Sequence, residues 1–241
     1  MLTGCYHSME TFGTVDGQGI RLVLFLSGCR LSCKFCHNPD TWSCSGKEIT
    51  AAQVLAAVNK YRRYYEASGG GITVSGGEPL LQPEFVAALF KSCQEQGIHT
   101  TLDTAGYCSP DQLRQVLPYT DAVLFSLKAV EPSKHYFLTG HDNTEIIDNL
   151  RYTVQIRPVT LRYVVIPGVN NEPADITALA KLIHSLPLPV PVELLAYHTL
   201  GRSKWEKLGW KYSLADVPAA NEQDVQAVRE QLTRQDISVL Y

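Results

Sequence analysis

The sequence predicts an α/β chain, a partial (β/α)6 TIM-like barrel with parallel strands, and three observations carry that expectation. Six short runs are apolar on both faces, as strands buried in a parallel sheet must be. Helical signals separate successive runs, so the strand–helix unit repeats. The count stops two short of a closed eight-stranded barrel, which points to an open one built from right-handed crossovers.

The elements follow in chain order. IRLVLFLS (20–27) is the first strand. Thr50 opens T-A-A-Q, a capping box, and Val54, Val58, Tyr61 and Tyr65 then share one helical face. GITVS (71–75) is the second strand. After it, Pro83 suits a first helical position, Val86, Leu89, Phe90 and Cys93 form an apolar stripe, and Gly97 suits a C-terminal cap. IHTTLD (98–103) is the third strand, and Ser109-Pro110-Asp111-Gln112 starts a short helix through Leu117. AVLFSLK (122–128) is the fourth, with a helix expected in the 143–155 region. TLRYVVI (160–166) is the fifth, followed by a helix on Ile176, Leu179, Ala180 and Ile183. VELLAY (192–197) is the sixth, and Asn221 opens a last helix bearing Val225, Val228 and Leu232. No low-complexity tract or Pro/Gly-rich linker interrupts the series, so residues 1–241 are expected to form a single domain.

Composition narrows the function. Of 241 residues, 45% are hydrophobic, enough for a sizeable core. Lys plus Arg number 21 against 24 Asp plus Glu, a net charge of −3, which argues against a nucleic-acid partner. No run reaches the ~20 apolar residues of a membrane span. The N-terminus lacks the basic start and apolar stretch of a secretory signal, so a cytoplasmic protein is expected. Seven cysteines, an odd count, do not suit a full disulfide framework in that compartment.

Three of the seven crowd into one loop. The first strand runs into Ser27-Gly28-Cys29-Arg30-Leu31-Ser32-Cys33-Lys34-Phe35-Cys36-His37, a C-x3-C-x2-C spacing with no fourth cysteine in register. Cys29, Cys33 and Cys36 are therefore the candidate metal ligands. Two chemistries fit: a zinc site completed by His37, or a four-iron cluster with three thiolates and one iron left open to chelate a small molecule. Gly76-Gly77-Glu78-Pro79 directly follows the second strand, where glycine lets backbone approach a ligand and Glu78 offers charge to an ammonium. Asp103 ends the third strand, Ser126, Leu127 and Lys128 end the fourth, and His198 follows the sixth. Singly, Asp103 and Lys128 read equally as solvated charges or an ion pair, and His198 as a surface histidine. Together, five strands deliver polar or metal-binding residues at one end, where such folds place their active sites.

The cysteine loop with Phe35 before its last cysteine, joined to GGEP, resembles the radical S-adenosylmethionine (SAM) superfamily. GTVDGQGIR (13–21), CHNPDTW (36–42), ASGGG (67–71), LDT (102–104), RYVVIPG (162–168) and YHTLG (197–201) narrow the resemblance to the glycyl-radical-enzyme activases, and among these to the pyruvate formate-lyase-activating enzymes. The similarity covers essentially the whole chain. It implies a radical SAM core with one [4Fe-4S] cluster on Cys29, Cys33 and Cys36 and SAM chelated to the open iron. It implies Phe35 and His37 against SAM, Gly76, Gly77 and Glu78 at its methionyl ammonium, and Asp103 near the same group. Lys128 would pair with the SAM carboxylate beside Ser126 and Leu127, and His198 would contact SAM from the far side. Asp16 would approach the glycine loop of the partner, a glycyl radical enzyme.

By the same resemblance, flavodoxin or ferredoxin donates the electron and the chain is a monomer. Only 13 residues separate Cys36 from Thr50, so the ferredoxin-like insert of longer activases is absent. The alternatives are an activase of another glycyl radical enzyme, of the anaerobic ribonucleotide reductase or diol dehydratase type, and a non-catalytic zinc- or cluster-binding scaffold. Two departures stand out. Gln18 replaces the family's proline, which loosens the turn before the first strand. Ser126 replaces an aspartate that, with the one matching Asp103, helps hold a monovalent cation in the relatives. A neutral hydroxyl is a weaker ligand, so SAM binding is expected to depend less on potassium or sodium. Cys93 reads as a core residue, Cys5, Cys44 and Cys108 show no partner spacing, and His7, His99, His135, His141 and His184 show no metal-like pairing.

Overall fold

The computed structural model describes residues 2–240. By internal contacts the chain forms two compact units: one comprises the segment through Arg30, Thr41–Leu124 and Ile156–Pro158, the other Leu31–Asp40, Phe125–Gln155 and the chain from Val159 onward.

In the first unit, β1 (Thr3–Gly13), β2 (Arg21–Leu26), β3 (Lys47–Thr50), β4 (Gly71–Gly76) and β5 (His99–Thr104) lie in the order β3-β1-β2-β4-β5. β2, β4 and β5 are parallel, with Arg21 opposite Gly71 and Gly71 opposite His99, whereas β1 is antiparallel to both β2 and β3. The RLVLFL run of β2 forms a strand because its residues are buried on both faces, Leu22, Val23, Leu24 and Leu26 all at 0% exposure. Helices α1 (Ala51–Lys60), α2 (Arg62–Ser68), α3 (Pro83–Gln94) and α4 (Pro110–Val116) alternate with the strands. Their starts are written locally: Thr50 and Gln53 cap α1 reciprocally, Ser109 and Gln112 cap α4, and Pro83 and Pro110 fill positions whose N–H has no helical acceptor.

β6 (Ala122–Ser126) carries the chain into the second unit. There α5 (Pro132–Thr139), α6 (Thr144–Ile156), β7 (Val159–Val165), α7 (Pro173–His184), β8 (Val192–Ala196), α8 (Arg202–Lys207), α9 (Glu222–Thr233) and β9 (Val239–Leu240) follow. β7, β8 and β9 are parallel and adjacent in that order. Asn221 caps α9 with Asp224 in return.

The α/β class with mostly parallel strands is as the sequence predicts, and all six expected strands form with ends shifted by no more than two residues. The structure adds β1, β3 and β9, and the helices α5 and α8. β1 was invisible because TGCYHSMETFG has neither an apolar run nor clean alternation; its half-buried residues are held by ladders on both sides. The single helix expected from Thr50 to Tyr65 is two, broken at Tyr61, whose φ of −117° and ψ of 14° leave the helical well. The apolar face nevertheless continues, with Val54, Val58 and Tyr65 buried.

Candidate functional site

In the first unit, the end of β2 is held by backbone. Ser27 N–H donates to the Cys5 carbonyl at 2.9 Å, Gly28 N–H to Thr41 O at 2.7 Å, and Cys29 N–H to Trp42 O at 3.0 Å. The GGEP turn closes on the same stretch: Gly77 N–H donates to Leu26 O at 2.9 Å and Glu78 N–H to Gly28 O at 2.8 Å. Glycine is required here, because a Cβ on Gly77 would collide with the Gly28 carbonyl and Gly76 sits at φ +117°.

Glu78 is 2% exposed and its carboxylate is fully engaged. Oε1 accepts from the Thr104 hydroxyl at 2.6 Å and from Leu80 N–H at 3.1 Å, and Oε2 accepts from Ala105 N–H at 2.9 Å. Burial outweighs these donors and pushes the carboxyl up to about 7, with Asp103 nearby adding to the rise. Glu78 thus ties the ends of β4 and β5 together. Asp103, on β5, accepts a 2.7 Å hydrogen bond from Ser75. Asp16 lies in the turn entering β2, ahead of the strand that Cys29 follows. Its carbonyl accepts from Thr73 at 2.7 Å, and Thr73 in turn accepts from the fully buried Arg21 at 2.6 Å. Burial lowers the Arg21 guanidinium to about 10.

In the second unit, α5 holds the cysteine loop: Ser32 N–H donates to Thr139 O at 3.2 Å and Lys34 N–H to Leu138 O at 2.8 Å. Cys36 N–H donates to Cys33 O at 3.0 Å. Burial pushes the Cys33 thiol up to about 11, the Lys128 ammonium pulls against that, and Cys36 adds to it. Lys128 Nζ lies 5.8 Å from the Phe35 ring centroid. Phe35 is itself 7% exposed. The Lys128 backbone is pinned by Asn170, whose amide donates to Lys128 O at 3.1 Å and to Val164 O at 2.9 Å. Leu127, at 0% exposure, donates its N–H to Arg162 O, and Ser126 ends β6.

The rings of His37 and His198 stack at 4.0 Å and 25°, and the His37 imidazole meets the His198 carbonyl at 3.1 Å. Burial lowers the His37 pKa, with His198 adding to the effect. His198 Nδ1 is buried and, among the described residues, has no hydrogen-bond partner.

Several bracing residues went unnoticed in the sequence. Trp205 Nε1–H donates to Cys36 O at 2.8 Å, and Lys204 reaches Asn38 at 2.7 Å and Asp40 at 3.2 Å, holding the chain just past His37. Gly201 allows this approach, since a Cβ there would sit 2.7 Å from His37 Cα. Only the YHTLG run hinted at it. Asn170 carried no signal, because it joins the nearby Ile166 and Val164 backbone to the Lys128 carbonyl 42 residues away, and the LDT run gave no hint that Thr104 would hold the Glu78 carboxylate.

Among the described residues, no three His, Cys, Asp or Glu side chains gather into a metal-binding group. The donor set nonetheless fits an iron–sulfur cluster. Three thiols come from one eight-residue loop, and the raised pKa of Cys33 keeps its thiol protonated until a cation displaces the proton. The orphaned His198 nitrogen likewise fits a site completed by a ligand.

Residues 23–180 match the model of the Radical SAM superfamily. Pyruvate formate-lyase-activating enzymes of Listeria monocytogenes and Staphylococcus aureus are 43% and 42% identical over 230 and 236 residues, covering 92% and 94% of this chain and 93% and 94% of theirs. A domain of the Bacteroides vulgatus pyruvate-formate lyase-activating enzyme superposes at TM-score 0.60 and 28% identity, over 71% of this chain and 98% of that one. A radical SAM methyltransferase from Sphaerobacter thermophilus, at TM-score 0.68 and 23% identity over 94% of this chain and 70% of its own, shows the same fold. The chain belongs to the radical SAM superfamily and, within it, to the family of pyruvate formate-lyase-activating enzymes.

Proposed function

We propose that the chain, as one radical SAM domain over residues 1–241, activates a glycyl radical enzyme, with pyruvate formate-lyase as the protein substrate. The observation that carries this reading is the near full-length similarity to activating enzymes of that name. Cys29, Cys33 and Cys36 would hold a [4Fe-4S] cluster. When bound, it supplies one electron for reductive cleavage of SAM, giving methionine and a 5′-deoxyadenosyl radical that takes hydrogen from a glycine Cα of the partner.

The chain's own residues bind and orient. Lys128, held by Asn170 through its carbonyl, offers an ammonium to the SAM carboxylate and favours the thiolate of Cys33. Gly77 presents backbone free of side chain, and Glu78 and Asp103 give the methionyl ammonium a negative surrounding. Phe35 and the stacked His37 and His198 exclude water from the adenosyl side, and His198 Nδ1 is left to meet the ligand. Asp16 is assigned to the partner's glycine loop. The electron donor is flavodoxin or ferredoxin, and the chain works as a monomer in the cytoplasm. No helix among the described residues is long and apolar enough to cross a membrane.

The test is electron paramagnetic resonance on anaerobically reconstituted, reduced protein mixed with SAM and pyruvate formate-lyase. A cluster signal that changes shape with SAM, followed by a glycyl radical on the partner, is expected. A glycyl radical formed only on a ribonucleotide reductase or diol dehydratase would reassign the substrate. Stoichiometric zinc with no response to SAM would overturn the enzyme reading.

A further inference from the structure

Four cysteines lie outside the cluster loop, and the structure sorts them into two kinds. Cys93 and Cys108 are buried at 0% and 2% exposure, and burial pushes the Cys93 thiol up to about 12. Cys5 is half-buried on β1, and Cys44 is exposed in the loop before β3. They are far apart in sequence, yet the β1–β3 ladder, with Cys5 opposite Glu48 and Tyr6 opposite Lys47, folds that loop back. Cys5 is the side-chain neighbour of Cys44, and that neighbour, with burial second, pushes the Cys44 thiol up; on the same loop a Cβ on Gly46 would meet the carbonyl of Tyr6, next to Cys5.

This pair borders the strand end that carries Cys29. The Cys5 carbonyl accepts from Ser27 N–H on one side. Thr41 and Trp42, at the start of the Cys44 loop, accept from Gly28 and Cys29 on the other. Cys44 Cβ is 3.9 Å from where a Cβ on Gly28 would stand. Residues 27–29 are therefore clasped between the Cys5 strand and the Cys44 loop.

We propose that Cys5 and Cys44 are a redox-active dithiol that closes to a disulfide by exchange with a small-molecule disulfide of the glutathione class, locking the strand end that bears Cys29. Exposed Cys44, once its thiol has lost its proton to solvent, attacks the reagent, forming a mixed disulfide and expelling one reagent thiolate. The Cys5 thiolate then attacks the Cys44 sulfur and expels the second. Two protein thiols are oxidised to one S–S bond, and two electrons and two protons leave on two molecules of reagent thiol. The neighbouring position of the two side chains supplies the proximity that the second attack needs. In a reducing compartment such a bond forms only when the glutathione poise shifts, as suits a reversible modification. The locking half of the proposal rests on Cys29 being a cluster ligand; the disulfide half does not.

The test equilibrates anaerobic holoprotein with mixtures of glutathione and glutathione disulfide, quenches free thiols by alkylation, and maps unreduced peptides by mass spectrometry. A Cys5–Cys44 cross-link is expected in the native chain and in Cys93→Ser, while Cys5→Ser stalls with glutathione on Cys44. A native chain that stops at the mixed disulfide, or links either cysteine elsewhere, overturns the proposal. Iron release to a ferrous chelator is expected to be several-fold slower in the disulfide form. Equal rates alongside an observed cross-link overturn the locking alone. No iron in either form removes the cluster reading, and with it the locking, while the disulfide result stands.

Discussion

Glu78→Gln isolates the electrostatics of the turn that ties β4 to β5. The native carboxyl titrates at about 7 against an ordinary 4.5, because burial outweighs its three donors. At about 1.4 kcal/mol per pKa unit, the displacement is worth about 3 kcal/mol. Its sign follows from the raised folded-state value: the contribution to stability is fully present below pH 4.5 and is lost as pH rises through 7. Glutamine keeps the shape and one acceptor but does not titrate. It also sets an amide donor against Ala105 N–H, a cost of about 1–3 kcal/mol that does not vary with pH. The quantity to measure is therefore the difference in unfolding free energy, native minus variant, from urea titrations of identically prepared anaerobic samples. Between about pH 5 and pH 8 that difference is expected to fall by about 2.5 kcal/mol. Parallel curves would refute the reasoning, since they would mean that the carboxylate suffers no penalty in its buried setting. An infrared band of a protonated carboxyl, lost on titration near neutrality and missing from Glu78→Gln, provides an independent check.

The remaining predictions concern the SAM side of the site. Lys128→Met is expected to weaken SAM binding about tenfold or more by equilibrium dialysis, as loss of a charged hydrogen bond implies, and to raise the pH needed to alkylate Cys33 in cluster-free protein; unchanged affinity would remove Lys128 from the SAM contacts. SAM titrations with and without potassium are expected to agree within about twofold in the native chain, while Ser126→Asp, which restores a charged oxygen ligand, confers dependence; strong dependence in the native chain would contradict the role given to Ser126. Asn170→Ala removes a fully buried amide that satisfies Ile166 N–H, Lys128 O and Val164 O, and is expected to cost about 2–4 kcal/mol of stability. A thermal midpoint unchanged from the native chain would show that water or relaxation replaces those bonds.

Much of this protein was determined locally. The both-face apolar runs of β2, β4 and β7 needed only the energetics of burial to be recognised, and the capping boxes at Thr50, Ser109 and Asn221 close within three residues of their own start. The C-x3-C-x2-C loop was legible as a candidate metal site because three thiols within eight residues stand out from spacing alone, while zinc and an iron–sulfur cluster both fit that spacing. What the sequence could not contain is pairing between distant segments. β1 is a strand because β2 and β3 flank it, not because its residues prefer extension. The groups that hold the Glu78 carboxylate, Thr104 and Ala105, lie on a different strand–helix unit. Trp205, Lys204 and Asn170 brace Cys36, Asp40 and Lys128 through backbone carbonyls and side chains far away in sequence. Cys5 and Cys44, without partner spacing, become neighbours because a β-ladder returns the Cys44 loop to β1. Short-range periodicity and capping record local free-energy preferences. Which polar groups end up satisfying one another depends on the packed arrangement of strands, and only the tertiary structure decides it.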